Sequence, residues 1–305
     1  METILKMENI TKLYKGQKAL NAFNINIERG DIYGFVGENG SGKTTVIRIV
    51  SGLIYQNAGT FELFGIKHND DRIHEARKKV GAIVEAPSIY LNMSAKDNLK
   101  MQCSLLGASE EKIPSILKDV GLENMLNNDK TARNYSLGMR QRLGIAMALV
   151  GEPEFLMLDE PMNGLDPAGI VDIRELIIRL NHEKNITFLI SSHILTELSL
   201  VATKYGIISR GHMIKEISSK QLEYESRNSV TVLLQDIEKL KENLVALVDP
   251  SNIEEVDGGL KIYEVDINII LELIHKAKIV INGIRSSEAN IENYYLSVVG
   301  GHKHA

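Results

Sequence analysis

One stretch constrains this chain more than any other: Gly37-Glu38-Asn39-Gly40-Ser41-Gly42-Lys43-Thr44-Thr45. It follows the short apolar run Ile32-Tyr33-Gly34-Phe35-Val36 and leads into Thr45 to Val50, which has helical spacing. A strand that passes through a glycine-rich loop into a helix aims several backbone N–H groups, and the positive end of the helix, at one point. Such a point holds phosphate. In this G-x-x-x-x-G-K-[ST] pattern Lys43 is placed to reach β and γ phosphates and the Thr44 hydroxyl to ligate Mg²⁺, while Gly37, Glu38, Asn39, Gly40, Ser41, Gly42 and Thr45 complete the cradle. A glycine turn that merely contains Lys-Thr would require neither the strand before nor the helix after.

Two further segments carry chemistry. Phe155-Leu156-Met157-Leu158-Asp159-Glu160 sets two carboxylates at the C-terminal end of a buried strand, where open parallel sheets carry their ligands. Asp159 suits the organisation of Mg²⁺ and its waters, and Glu160 the polarisation of a water attacking the γ phosphate. Taken alone, the pair also reads as an acidic strand end exposed to water. Asn134 to Arg142 lies shortly before that strand and opens a helix expected over Leu143 to Val150. Ser136 and the backbone around Gly138 suit a phosphate there, and equally suit an ordinary helix cap.

The rest of the pattern predicts an α/β fold. Ile4 to Ile10 and Ala22 to Ile27 form an opening hairpin-like pair, bounded by turns at Lys15-Gly16-Gln17 and Arg29-Gly30-Asp31. Asp97 to Val150 reads as mostly helical, with breaks at Gly107, Pro114 and Gly121. Strands over Phe155 to Leu158, Ile186 to Ile190 and Lys204 to Ser209, with a helix over Ile170 to Leu180, imply a parallel sheet covered by helices. A final strand over Met213 to Ile217 follows a turn at Arg210-Gly211-His212. Beyond Ser226 the order changes to strand Val230 to Leu234, helix Asp236 to Val248, strands Ile253 to Val256 and Leu260 to Val265 around Asp257-Gly258-Gly259, helix Ile267 to Lys276, strand Ile279 to Ile284 and helix Asn290 to Val298. This β-α-β-β-α-β order predicts a small ferredoxin-like α+β domain over residues 227–305.

Composition narrows the function classes. Apolar residues are 44% and charged residues 25% of 305, which supports a globular chain with one large and one small domain. No apolar run reaches the roughly 18 residues of a membrane helix, and the N-terminus lacks the features of a secretory signal, so a cytoplasmic location is expected. Net charge is -5 with no basic block, which argues against nucleic acid as a partner. The single cysteine, Cys103, reads as a buried apolar residue. His302 and His304 read as part of a terminal tail rather than a metal site.

With these motifs in view, the chain resembles an ATP-binding cassette nucleotide-binding domain over about residues 1–220. The resemblance rests on Gly37 to Thr45, Tyr-Ser-Leu-Gly-Met in place of Leu-Ser-Gly-Gly-Gln, Leu-Met-Leu-Asp-Glu-Pro, Asn163-Gly164-Leu165-Asp166, and His193 after Ser191-Ser192, in that order. It implies a P-loop NTPase core with an antiparallel β subdomain and a helical subdomain at about residues 86–150. It further implies that Tyr14 stacks on adenine, that His193 contacts the γ phosphate and holds Glu160 and the water, and that Asp166 sits at a dimer seam. ATP would lie between the phosphate loop of one subunit and Ser136 to Gly138 of a second, either an identical or a related chain. A transporter of this family without membrane spans works with separate permease chains on the cytoplasmic face of the membrane, here through the surface around Glu85 to Leu99.

Two departures stand out. Leu137 and Met139 replace a Gly and a Gln, and Glu85, in Val84-Glu85-Ala86-Pro87, replaces a Gln that ligates Mg²⁺ or water. A glutamate there remains a candidate nucleotide and metal contact, but as a charged acceptor. Glu85 and the Tyr-Ser-Leu-Gly-Met-Arg-Gln-Arg run resemble a branch that exports lantibiotics and peptide antibiotics such as bacitracin, giving immunity or resistance. Three rivals remain open at this point: an exporter of another cargo, a soluble non-transport cassette ATPase, and a module that binds ATP without turnover.

Overall fold

The computed structural model describes residues 2–245, 247–287 and 291–301. Along the chain the elements are β1 (Thr3–Tyr14), β2 (Gln17–Glu28), β3 (Ile32–Val36), α1 (Lys43–Val50), β4 (Ala58–Leu63), β5 (Ile66–Lys67), α2 (Ile73–Lys78) and β6 (Val80–Ile83). There follow α3 (Ala95–Leu106), α4 (Ile113–Asp119), α5 (Leu137–Leu149), β7 (Phe155–Asp159), α6 (Pro167–Lys184), β8 (Thr187–Ser192), α7 (Leu195–Leu198), β9 (Lys204–Ser209) and β10 (His212–Ser218). The remainder is α8 (Ser219–Glu225), β11 (Ser229–Leu234), α9 (Ile237–Leu244), β12 (Ile253–Val256), β13 (Gly259–Tyr263), α10 (Ile267–Lys276), β14 (Ile281–Ser287) and α11 (Ile291–Gly301). Two compact units divide at Ser219.

In the first unit the central sheet has the order β10-β9-β3-β8-β7-β6. Its strands β6, β7, β8, β3 and β9 run parallel, with β10 antiparallel at one edge. Strands β3, β7 and β8 are buried at every position, which is why they read as continuous apolar runs. Because they are parallel, their C-terminal ends lie on one side, and the loop after β3, the carboxylates after β7 and His193 after β8 are delivered there together. A second, antiparallel sheet has the order β2-β1-β4-β5. Phe23, Phe35, Phe61, Phe155 and Leu189 belong to one buried cluster that ties the two sheets together.

The helical stretch resolves into α3, α4 and α5. Gly107 ends α3 in the left-handed conformation, and Pro114 lies in the first turn of α4, so both breaks act as helix boundaries. Cys103 is buried on α3. One boundary is corrected: the helix expected over Leu143 to Val150 begins earlier, at Leu137, because the Ser136 side chain accepts from the Met139 N–H and caps it. The segment from Ala58 to Ile83, with β4, β5, α2 and β6, carried no assignment from the sequence, since its apolar residues are too few to show a period.

The second unit pairs its strands in the order β12-β13-β11-β14, antiparallel throughout. One sheet face is apolar: Val230, Val232, Leu260 and Ile262 pack with Leu240 and Leu244 of α9 and Ile270 and Ile274 of α10. Asn290, expected to open the last helix, and His302 and His304 lie outside the described residues.

Candidate active site

The phosphate loop leaves β3 and enters α1 through backbone that only glycine tolerates. Gly42 has φ 116°, and a Cβ on it would stand 2.8 Å from the Ala19 carbonyl oxygen. A Cβ on Gly37 would come within 2.4 Å of the Ile208 carbonyl oxygen. Glu38, Asn39 and Gly40 form the exposed crest of the loop, Ser41 and Lys43 are buried, and Thr44 and Thr45 are half-buried in the first turn of α1. The Lys43 ammonium donates to the Gly37 carbonyl at 2.6 Å, so the loop wraps its own cation.

Around this loop the parallel sheet assembles the remaining groups. Thr44 Oγ1 donates to Asp159 Oδ2 at 2.8 Å, which joins α1 to the end of β7. Glu160 holds the left-handed conformation at φ 50°, an uncommon one for a side chain of its kind. Its Oε2 is 2.8 Å from His193 Nδ1, and its Oε1 is 3.4 Å from Lys43 Nζ. A residue given no role from the sequence ties the Asp159 carboxylate to the backbone of Glu160. Ser191 Oγ donates to Asp159 Oδ1 at 2.5 Å and accepts from the Glu160 N–H at 3.0 Å. The quoted Ser191-Ser192 pair before His193 was the available signal, but it says nothing of which strand end faces it.

Two buried side-chain oxygens at this place, Ser41 Oγ and Glu160 Oε1, have no hydrogen-bond partner. Buried polar atoms are seldom left so; a phosphate oxygen would accept from the Ser41 hydroxyl, whereas Glu160 Oε1, an acceptor 3.4 Å from Lys43 Nζ, would take a hydrogen bond from a water. The donor set fits a triphosphate: one ammonium, the amides of a glycine loop, and a helix start. Thr44 and Asp159 converge two oxygens, the hard ligands that Mg²⁺ takes.

The other predicted residues fall in separate places. Ser136 and Gly138, at the start of α5, line a cavity of about 400 Å³ with Arg142, Gly164, Asp166 and Gly169. No phosphate-loop residue lines it. Asp166 caps α6 by accepting from the Gly169 N–H at 3.0 Å, and Arg142 Nε is buried without a hydrogen-bond partner. A Cβ on Gly138 would meet nothing nearer than Leu165 at 3.9 Å. Tyr14 ends β1 with 41% of its surface exposed, and the Lys12 ammonium lies 5.3 Å from its ring centre.

Glu85 is not brought to Thr44 and Asp159. It follows β6 at φ 64° and its carboxylate pairs with Arg48 of α1 at 2.5 Å. Sequence reasoning had no means to find Arg48, because the pairing depends on β6 lying beside β7.

Fold and site together define a P-loop nucleoside triphosphatase. The ABC transporter family profile matches residues 20–163. The chain is 39% identical over 305 residues to the bacitracin transport ATP-binding protein BcrA of Bacillus licheniformis, covering 99% of each. It is 41% identical to the lantibiotic transport ATP-binding protein SrtF of Streptococcus pyogenes, over 70% of this chain and 90% of that one. Among solved structures, the dimeric ATP-binding cassette MJ0796 in a post-hydrolysis state with ADP and Pi superposes with a TM-score of 0.63 at 26% identity, over 70% of this chain and 98% of that one. This chain belongs to the ATP-binding proteins of the ABC transporter family. It is an ATPase whose hydrolysis is coupled to transport.

Proposed function

We propose that this subunit powers the export of bacitracin-like or lantibiotic-like peptide antibiotics, and so contributes to immunity or resistance. The observation that carries the ATPase chemistry is the Lys43, Thr44–Asp159 and Glu160–His193 constellation held by Ser191. The cargo class is supported by the names of the relatives, one of which aligns along the full chain. The retained Glu160 and His193 speak against a module that only binds ATP. No helix among the described residues is long and apolar enough to cross a membrane, so transport calls for separate permease subunits, and a place on the cytoplasmic face of the membrane follows from that partnership.

In this reading Lys43 and the loop amides neutralise the β and γ phosphates, Tyr14 stacks on adenine, and Thr44 and Asp159 hold Mg²⁺. When bound, Mg²⁺ supplies charge neutralisation across the phosphates. Glu160 accepts the proton of the attacking water, His193 holds its Oε2 so that Oε1 faces that water, and Ser191 fixes the backbone beneath it. Ser136, Gly138 and Asp166 lie apart from these groups, which supports a second nucleotide-binding subunit, identical or related, that closes the site across the seam. Residues 1–220 then act as the ATP-binding domain, with residues 86–150 as its helical subdomain. For residues 227–305 the strand order supports a ferredoxin-like accessory domain.

The test is Glu160→Gln. Turnover is expected to fall by about 10²–10⁴-fold, while light scattering shows an ATP-dependent dimer that persists. Full turnover in that variant would remove Glu160 as the base. Co-purification with an integral membrane protein separates the exporter from a soluble non-transport ATPase.

A further inference from the structure

The second unit carries a polar sheet face opposite its apolar one. Strand alternation puts Thr231 of β11 on that face, and register puts Lys261 of β13 on one side of it and Arg285 of β14 on the other. The same pairing sets Ser229 between Tyr263 and Ser287. These residues line a cavity of about 1280 Å³, bounded also by Tyr224 of α8 and Tyr294 of α11.

Of the three cations that line this cavity, Arg227 pairs with Glu264 at 3.8 Å, whereas Lys261 and Arg285 make no ion pair among the described residues. Glu254 lies opposite Lys261 in register, yet its carboxylate accepts from the Tyr263 hydroxyl at 2.5 Å and makes no ion pair with Lys261. Glu225, the other acid in the lining, accepts from Gln221 and from the Tyr294 hydroxyl at 2.8 and 2.9 Å. Among the described residues Lys261 and Arg285 have no counter-ion, and Lys261 meets only the Tyr263 ring, at 4.7 Å. Arg227 is held between the rings of Tyr224 and Tyr263, at 3.6 and 4.7 Å, with its Nη2 buried and without a hydrogen-bond partner.

We infer that this face is a second anion site, distinct from the phosphate loop, which binds a phosphate-bearing molecule between Lys261 and Arg285. Like charges set two strands apart repel unless an anion lies between them. A phosphate fits better than a single carboxylate, because its three oxygens accept from both cations and from Thr231 together, whereas one carboxylate leaves donors unmet. The tyrosines beside the cations offer flat apolar surface to whatever the phosphate is attached to. A soluble organic phosphate and a phospholipid headgroup share this chemistry.

The test is hydrogen-exchange mass spectrometry on the full chain, read separately at β11, β13 and β14 and at the phosphate loop. The probes are inorganic pyrophosphate, vesicles of phosphatidylglycerol in phosphatidylcholine, and citrate. Pyrophosphate is expected to protect β11, β13 and β14, with its half-protecting concentration raised at least tenfold in Lys261→Gln/Arg285→Gln. Protection of the phosphate loop should be the same in that variant, which shows that it is folded. Lys261→Arg/Arg285→Lys should bind within threefold of the unaltered chain. Protection by the vesicles alone, lost in the Gln variant, would assign the phosphate to a lipid headgroup. Protection by citrate equal to that by pyrophosphate, protection indifferent to both substitutions, or none with any probe would overturn the inference.

Discussion

Gly42 and Gly138 are glycines for different reasons, and the difference can be measured. At Gly42 the backbone is left-handed and a Cβ would press on a carbonyl oxygen, so Gly42→Ala should deform the phosphate loop and abolish ATP binding. At Gly138 the protomer leaves room. Gly138→Ala should therefore melt within about 0.5–1 kcal/mol of the unaltered chain, the helix gain from alanine being of that order. In the proposed two-subunit site its ATP-dependent dimerisation should weaken, because the added methyl would meet the partner's nucleotide; light scattering with ATP would show this, and an undiminished dimer would place Gly138 outside the seam. Glu85 is the contrasting case. Its identity was visible in the sequence, but its partner was not: Arg48 engages it on α1, one helix from the phosphates. That link gives Glu85 a route to the phosphate loop, and Glu85→Gln, which loses the ion pair, is expected to leave ATP binding intact while changing the ratio of ATP hydrolysed to cargo transported. If both the ATPase rate and transport stayed the same, the coupling role would be wrong.

Strands β3, β6 and β7 are tied at their starting ends by one acid. Glu154, just before β7, pairs with Lys79, just before β6, and with Arg29, which precedes β3. The hydrogen bond from Lys79 is the largest of the effects that hold its carboxyl below the ordinary value of 4.5. A depressed folded pKa means stability that is present above the unfolded value and lost as pH falls through the folded one. The side chains are partly exposed, so solvent screening limits the gain to about 1 kcal/mol or less. Glu154→Gln should thus melt below the unaltered chain at neutral pH, and the two curves should converge once the pH is well under 4.5. A gap that persisted in acid would assign the difference to packing instead. The elements themselves were unequally legible. Strands β3, β7 and β8 announced themselves because burial on both faces demands unbroken apolar runs, whereas β5 is two residues long and β6 four, too short to establish a period.

The two compact units own separate hydrophobic clusters, one centred on Phe23, Phe35 and Phe155, the other on Val232, Leu240 and Ile262. Each cluster has the means to support its own fold, so a chain ending at Ser219 should still bind ATP and dimerise with it. Loss of ATP binding in that fragment, with its secondary structure intact by circular dichroism, would show that residues 220–305 take part in the nucleotide site. From residue order alone one could read the phosphate loop, the acid pair, a helix shortly before the acid pair's strand and the β-α-β-β-α-β tail, because each is built from neighbours whose backbone geometry is set within a few residues. Folding supplied what neighbours cannot: the Thr44–Asp159 and Glu160–His193 pairings, Ser191 beneath both acids, Arg48 against Glu85, and the cations that flank Thr231. The contacts of the first unit join strand ends and helices that are far apart in sequence, because parallel strands connected by crossovers bring their C-terminal ends to one side of a sheet, whereas the cations flank Thr231 through the antiparallel register of the second unit's sheet.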